Sequence, residues 1–188
     1  MSAADLLGTA LLSRARNAVA EVLDLPRGDA PDHPGLSEPG ATFVTLFSRG
    51  ALRGCVGSLE ATLALGIDVQ SNACAAAFRD PRFAPLSRSE FAHTRFEVSL
   101  LGPSSPIAAA SEAEAIAALV PHRDGVTLTW GGRRATLLPQ VWANLPDRGA
   151  FLRALKHKAG LPADFWTLDV RLERYAVSHF DETREAVA

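Results

Sequence analysis

The chain has 188 residues, 47% hydrophobic and 21% charged, a balance typical of one globular domain or of one domain with a small second lobe. Nineteen basic and twenty-one acidic residues give a net charge of −2, which argues against a nucleic-acid-binding surface. The longest charge-free run, residues 98–111, contains two prolines and is shorter than the roughly 20 apolar residues of a membrane span. With two cysteines and no visible secretion signal, we expect a cytoplasmic protein without a disulfide scaffold.

The first 80 residues predict a helix, a long connection, a hairpin and a second helix. Apolar residues recur every three or four positions from Leu7 to Val22, as in an amphipathic helix. Residues 24–40 hold four prolines and three glycines, and this connection is the best candidate for a flap. Residues 41–47 and 51–57 are predicted strands of a hairpin, and residues 62–79 a mostly buried helix.

The second half predicts short helices and further strands. Capping boxes at Ser87 and Ser111 predict two short helices, and strand alternation follows over 95–100. A loop with two prolines is expected after residue 102, and a second hairpin over 126–138 turns at Gly131-Gly132. A helix then ends near residue 158, a last strand covers 168–177, and the remainder is expected to fray.

The order of these elements predicts the fold class. Helices and strands are interspersed, but hairpins supply at least two of the strand connections. We therefore expect an α+β fold with an antiparallel-rich sheet flanked by helices, rather than a doubly wound parallel sheet.

The segment 52–57, Leu-Arg-Gly-Cys-Val-Gly, is the most informative in the chain. Side chains alternate along a strand, so Arg53 and Cys55 are expected on one face, where a guanidinium favours the nucleophilic thiolate. Gly54 and Gly57 leave room for a ligand or another backbone. The segment predicts either a reactive, ligand-contacting thiol or a small buried cysteine beside an arginine that reaches solvent.

A second candidate segment, Asp80-Pro81-Arg82-Phe83, follows the second predicted helix. The proline fixes the backbone, so that a carboxylate and a guanidinium can be presented to a ligand. The alternative is a local ion pair with Phe83 packed in the core. We take Asp80 and Arg82, with Gly54 and Gly57, as candidate ligand-binding residues, and Cys55 and Arg53 as candidate catalytic residues.

No metal or cofactor is predicted. The five histidines and two cysteines show none of the spacings of metal sites, and phosphate-loop and dinucleotide fingerprints are absent from the sequence. His33, in the proline-rich connection, and His157, at a helix end, are candidate general bases for Cys55. For both residues the sequence favours a capping or solvated side chain over a general base.

Five segments in this order resemble the AMMECR domain family, whose microbial members are called protein A of the AmmeMemoRadiSam system. They are LRGCVG, SNACAAAFRDPRF, FEVSLL, RATLLPQVW and LKHKAGLP, and the resemblance extends from about residue 7 to residue 180. The R-G-C-[IV]-G signature of the family corresponds to residues 53–57, and its D-x-R-F element to Asp80, Arg82 and Phe83. The E-V-S-L-L strand corresponds to residues 97–101, and the L-P-x-V element to Leu138, Pro139 and Val141.

The resemblance implies a single two-lobed α+β domain over 1–188, with a cleft between the lobes around the Arg53–Gly57 motif. It implies partnership with a Memo-type protein and a radical S-adenosylmethionine (radical SAM) protein. Because the chain has no Memo-like segment and no iron–sulfur spacing, we expect those two activities to come from the partners. A monomer or a homodimer is expected.

Two functions remain open at this stage. The first is an enzyme or enzyme component that binds a small molecule, with Cys55 as nucleophile and Arg53 stabilising negative charge. The second is a non-catalytic module that docks on the Memo-type or radical SAM protein. Binding to nucleic acid or to a membrane is not expected.

Overall fold

The computed structural model describes residues 3–182 and divides into two compact units. The first unit contains the residues up to Leu101 and resumes at Ser178, and the second spans Gly102–Val177. Each unit has its own antiparallel sheet and its own hydrophobic core. The α+β prediction is therefore confirmed, with two sheets where the sequence analysis expected one.

The first unit is built on a five-stranded sheet. Strands β1 (Pro39–Ser48), β2 (Ala51–Gly57), β4 (Thr94–Leu101) and β9 (Val177–Asp181) lie in the order β2-β1-β4-β9, with β2 at one edge. The two-residue strand β3 (Leu63–Ala64) pairs with the start of β1. Arg49 and Gly50 adopt positive φ in the turn between β1 and β2, as a tight hairpin requires.

Three helices accompany this sheet: α1 (Ala3–Val22), α2 (Leu65–Phe78) and α3 (Arg88–Phe91). Both long helices pack on the same face of the sheet, α2 on β1 and β2 and α1 on β4. Val44 and Leu46 of β1 and Phe96 of β4 point to these helices and are fully buried. The intervening positions of β1, β2 and β4 consequently project from the opposite face.

The second unit holds a four-stranded sheet and two helices. Its elements are β5 (Ser105–Ile107), α4 (Glu112–Ala118), β6 (Gly125–Trp130), β7 (Arg133–Leu137), α5 (Arg148–Lys158) and β8 (Arg171–Tyr175), and the strands lie in the order β5-β8-β6-β7. Trp142 is fully buried in the core of this unit, where it stacks on Phe151. Lys156, in the last turn of α5, has no exposed surface, and its ammonium group donates a hydrogen bond to the carboxylate of Glu112.

The structure corrects the sequence analysis at three places. Helix α2 begins at Leu65, not at residue 62, because residues 63–64 pair with β1. The predicted proline loop contains β5. The strand predicted over 168–177 is β8, but residues 177–181, which adjoin it and were expected to fray, form β9 in the other sheet, where Phe180 packs against Gly8. The rest of the expected fraying, over 183–188, lies outside the described residues.

The proline-rich connection is attached to α1 within the first unit. Asn17 donates to the carbonyl of Gly28 and accepts from its N–H, at 2.8 and 2.9 Å. The His33 ring accepts a hydrogen bond from Gly35 and caps a single 3₁₀ turn at Pro34–Leu36. The capping alternative for His33 is therefore confirmed, and the flap remains a prediction.

Candidate functional site

Cys55 lies in the edge strand β2, on the sheet face opposite the helices. Its neighbour Gly54 faces α2, because a Cβ built on Gly54 would lie 2.2 Å from the carbonyl oxygen of Ala76. Alternation then directs Cys55 to the other face. Arg53 has no register partner, because the pairing of β1 and β2 shifts between Leu46 and Phe47, so the shared face of Arg53 and Cys55 remains a prediction. Both residues are half-buried.

The sulfur of Cys55 has a hydrogen-bond donor on the neighbouring strand. Thr45 of β1 lies directly across from Cys55, and its hydroxyl donates to Sγ at 3.4 Å. The same register places Glu97 of β4 across from Thr45. A thiol, a hydroxyl and a carboxylate therefore form one row across three strands on this face.

The backbone of Cys55 is bound by side chains instead of a further strand. Oδ2 of Asp80 accepts from the Cys55 N–H at 2.9 Å, and Nη2 of Arg82 donates to the Cys55 carbonyl at 3.3 Å. The two side chains are themselves joined, with Arg82 Nη2 2.6 Å from Asp80 Oδ2. We call these two residues the edge clasp, because they satisfy the polar backbone groups that an edge strand leaves free.

The electrostatics of the edge clasp follow from this geometry. Asp80 is only 3% exposed, and the guanidinium of Arg82 holds the pKa of its carboxyl well below the ordinary value of 3.8. Hydrogen bonding to Asp80 raises the pKa of Arg82 in turn. The local ion pair that the sequence analysis considered therefore exists, and it is attached to Cys55.

Arg53 is held by a carboxylate of its own. Its Nε and Nη2 donate to the two oxygens of Glu90 at 2.9 and 3.3 Å, and Nη2 also donates to the carbonyl of Ala84. The guanidinium lies 5.8 Å from the centre of the Phe83 ring. Glu90 completes the capping box of α3 with Ser87, so Arg53 ties the edge strand to that helix.

Internal packing occupies the space beside both glycines of the motif. The Ala76 carbonyl lies over Gly54, and the ring of Phe43, directly across from Gly57 on β1, lies over Gly57. Both positions require glycine for close approach within the first unit. Their role in ligand binding remains a prediction beside this structural explanation.

A second polar pair lies on the same face. Ser99 of β4 is across from Phe43, and its Oγ lies 3.0 Å from Nδ1 of His179 on β9. Ser99 is 2% exposed, whereas His179 is exposed.

Among residues 3–182, no three of the His, Cys, Asp and Glu side chains come together as a metal-binding group.

The comparisons with known proteins agree with one another. The AMMECR1 family model matches residues 12–180. The chain belongs to the AMMECR1 family. A protein of Thermofilum pendens is 35% identical over 191 residues, covering 94% of this chain and 90% of the relative. A protein of Thermotoga maritima is 37% identical over 140 residues, covering 73% and 75%.

A solved structure of an uncharacterised protein from Pyrococcus horikoshii is similar throughout. It superposes with a TM-score of 0.81 at 32% identity, covering 93% of this chain and 91% of the other. The resemblance identified from the five sequence segments is thus confirmed.

No helix described in the structure is both long enough and apolar enough to cross a membrane.

Sequence reasoning missed four partners of the site in this AMMECR1 chain. Thr45 and Glu90 belong to elements that were predicted. The sequence did not show which residue of β2 lies across from Thr45, or that α3 packs beside Arg53. Ser99 and His179 meet because β9 lies next to β4, a pairing between residues 80 positions apart. Alternation along β4 predicts that Glu97 and Ser99 share one face of the sheet. It does not predict that Thr45 lies across from Glu97 or that His179 lies beside Ser99.

We expect the stability of the protein to fall in acid through the edge clasp and the Arg53–Glu90 pair. Arg82 lowers the pKa of Asp80 from 3.8, and Arg53 lowers that of Glu90 from 4.5 to about 2. A carboxyl with a depressed folded-state pKa stabilises the fold above its unfolded-state pKa, and this contribution is lost as pH falls through the folded value. The free energy of unfolding, measured by urea titration, should therefore decrease between about pH 5 and pH 2.

The matched variant is Asp80→Asn, which cannot titrate. Its unfolding free energy should depend less steeply on pH than that of the wild type over the same range. Equal slopes would show that Asp80 is not bound to Arg82 in the folded protein.

Proposed function

We propose that this AMMECR1 protein is an enzyme, or a component of one, in which the sheet face opposite the helices binds a small molecule next to Cys55. Cys55 acts as the nucleophile, and Thr45 donates to its sulfur. By resemblance to the family, the protein works with a Memo-type protein and a radical SAM protein.

The observation that carries the proposal is the way in which Cys55 is held. Its sulfur accepts a hydrogen bond from Thr45, its N–H donates to Asp80, and its carbonyl accepts from Arg82. Only the contact with Thr45 involves the thiol, and a thiol that only fills space in a core does not need it; the two backbone contacts fix the edge strand that carries the thiol. Fixing the backbone and side chain of a half-buried nucleophile is what a site requires for orientation toward a bound substrate.

Cys74 shows the contrast within the same unit. It lies in α2, and burial raises the pKa of its thiol above the ordinary value of 9.0. Raised thiol pKa values suppress the thiolate and with it the nucleophilic reactivity. Cys74 is therefore the internal reference for an unreactive thiol in every experiment on Cys55.

A docking role is favoured by one separate observation. Leu59, Leu63 and Ile67, which lie between the end of β2 and the first turn of α2, are 39%, 46% and 58% exposed. Exposed apolar side chains of this size are typical of protein interaction surfaces when they are contiguous.

If these side chains form a docking surface, Ile67→Asp should weaken binding to the purified Memo-type or radical SAM protein, while labelling of Cys55 is unchanged.

The proposal is tested with a panel of chloroacetamide fragments of equal intrinsic reactivity. If a binding site adjoins Cys55, some fragments will label Cys55 with rates that saturate as their concentration rises, while Cys74 labels slowly and linearly. Cys55→Ser should remove the saturable adduct, measured by intact and peptide mass spectrometry, without unfolding the protein. Linear labelling of Cys55 by every fragment would contradict a small-molecule site and leave the docking role.

A further inference from the structure

We propose that the small molecule bound beside Cys55 carries a positively charged amine, and that the carboxylate of Glu97 binds this group. Glu97 is then a substrate-binding residue that selects cationic molecules, a role that the sequence analysis did not assign to it. The inference rests on the proposed function in one respect, namely that the sheet face opposite the helices binds a small molecule next to Cys55.

Glu97 lies within the sheet, on the face that carries Cys55. Its strand β4 has β1 on one side and β9 on the other, and Thr45 of β1 lies across from both Glu97 and Cys55. Residues paired in this way project from the same face. Neighbouring strands lie about 4.8 Å apart, so the backbones that carry Cys55 and Glu97 are roughly 10 Å apart, a distance that one small molecule spans.

The carboxylate of Glu97 has no partner in the part of the chain that the structure describes. The residue is half-buried, and none of the hydrogen bonds and ion pairs over residues 3–182 involves its side chain. Partial burial removes water from a carboxylate, and a hydrogen-bonded cation compensates for that loss. A bound ammonium group would supply this compensation.

The preceding position on the same face shows a charge that the protein compensates internally. Arg95 lies two residues before Glu97 on β4, and its Nη1 is 3.7 Å from Oδ1 of Asp181. The guanidinium of Arg95 also lies 4.8 Å from the centre of the Phe47 ring. Arg95 therefore has a carboxylate and an aromatic ring as partners, and its described contacts do not include Glu97.

The strand on the other side of β4 brings a further acidic side chain to this face. Phe180 of β9 packs against the core beneath the helices, so alternation directs His179 and Asp181 to the face of Glu97. Nδ1 of His179 lies 3.0 Å from Oγ of Ser99 and is thus engaged with a neutral hydroxyl. The surroundings of Glu97 therefore favour a cationic ligand over an anionic one.

The experiment uses three chloroacetamide fragments of matched size and intrinsic reactivity, which carry a primary amine, a hydroxyl or a carboxylate at the same position. The amine fragment should label Cys55 with a half-saturating concentration at least about tenfold lower than that of the hydroxyl fragment, and the carboxylate fragment should bind most weakly. Glu97→Gln should remove this preference and change the half-saturating concentration of the hydroxyl fragment less than about twofold.

Glu38→Gln is the matched control, because it removes the same charge from an exposed side chain of the first unit, and it should keep the preference for the amine. A preference for the amine that survives in Glu97→Gln would overturn the inference. Urea titration shows whether each variant is folded, and the comparison of the three fragments on the wild-type protein needs no variant. Saturable labelling without a charge preference would overturn this inference alone, whereas linear labelling by every fragment would remove the small-molecule site as well.

Discussion

Gly54→Ala is expected to destabilise the protein by about 3 kcal/mol, the largest loss of stability that we expect from one added methyl group in the first unit. The new Cβ would lie 2.2 Å from the carbonyl oxygen of Ala76, a distance that no real contact allows. The obstacle is the backbone of α2, which cannot rotate away as a side chain could. Either β2 or α2 must move, and β2 carries Cys55 and the hydrogen bonds to the edge clasp.

The matched control for this prediction is Gly66→Ala in α2. A Cβ at Gly66 lies 3.4 Å from the nearest atom, the carbonyl oxygen of Leu36, and alanine favours a helix over glycine by about 1 kcal/mol. The unfolding free energy of Gly66→Ala, from urea titration, should therefore equal or exceed that of the wild type. A Gly54→Ala protein as stable as the control would show that β2 does not lie directly on α2.

The elements of the fold were largely predictable, because hydrophobic period and turn chemistry act over short distances. The hairpin of β1 and β2 and the Gly131-Gly132 turn follow from local residue preferences and were confirmed. The strand predicted over 168–177 was confirmed as β8, whereas the fraying expected after it was wrong for residues 178–181. Residues 171–175 and 177–181 belong to different sheets, and no local pattern reports which sheet a strand joins.

The candidate site was predictable only in part, and for a similar reason. The motifs singled out Cys55, Asp80 and Arg82, but alternation along β2 could not reveal the shift in register that leaves Arg53 without a partner on β1. The sequence did not show that Asp80 and Arg82 bind the Cys55 backbone, or that Glu90 takes the charge of Arg53. These contacts join residues between 25 and 37 positions apart, and they depend on how α2 and α3 pack beside the sheet.

Packing within the first unit explains why both glycines of the motif are needed. A sequence pattern of small residues around a cysteine indicates an approach by a ligand, but here the first unit brings its own atoms to both positions. The chemistry of the motif is therefore concentrated in Cys55 and in the three side chains that hold it: Thr45, Asp80 and Arg82.

The most direct test is the alkylation of the native protein by iodoacetamide at pH 7.5, followed separately at Cys55 and Cys74 by mass spectrometry. We predict that Cys55 reacts at least about tenfold faster than Cys74, whose thiol pKa is raised by burial, and that the difference disappears in denaturant. Thr45→Val should reduce the advantage of Cys55, because it removes the hydroxyl that donates a hydrogen bond to Sγ. If Cys55 reacts no faster than Cys74 until the protein unfolds, it is a structural thiol and the account is wrong.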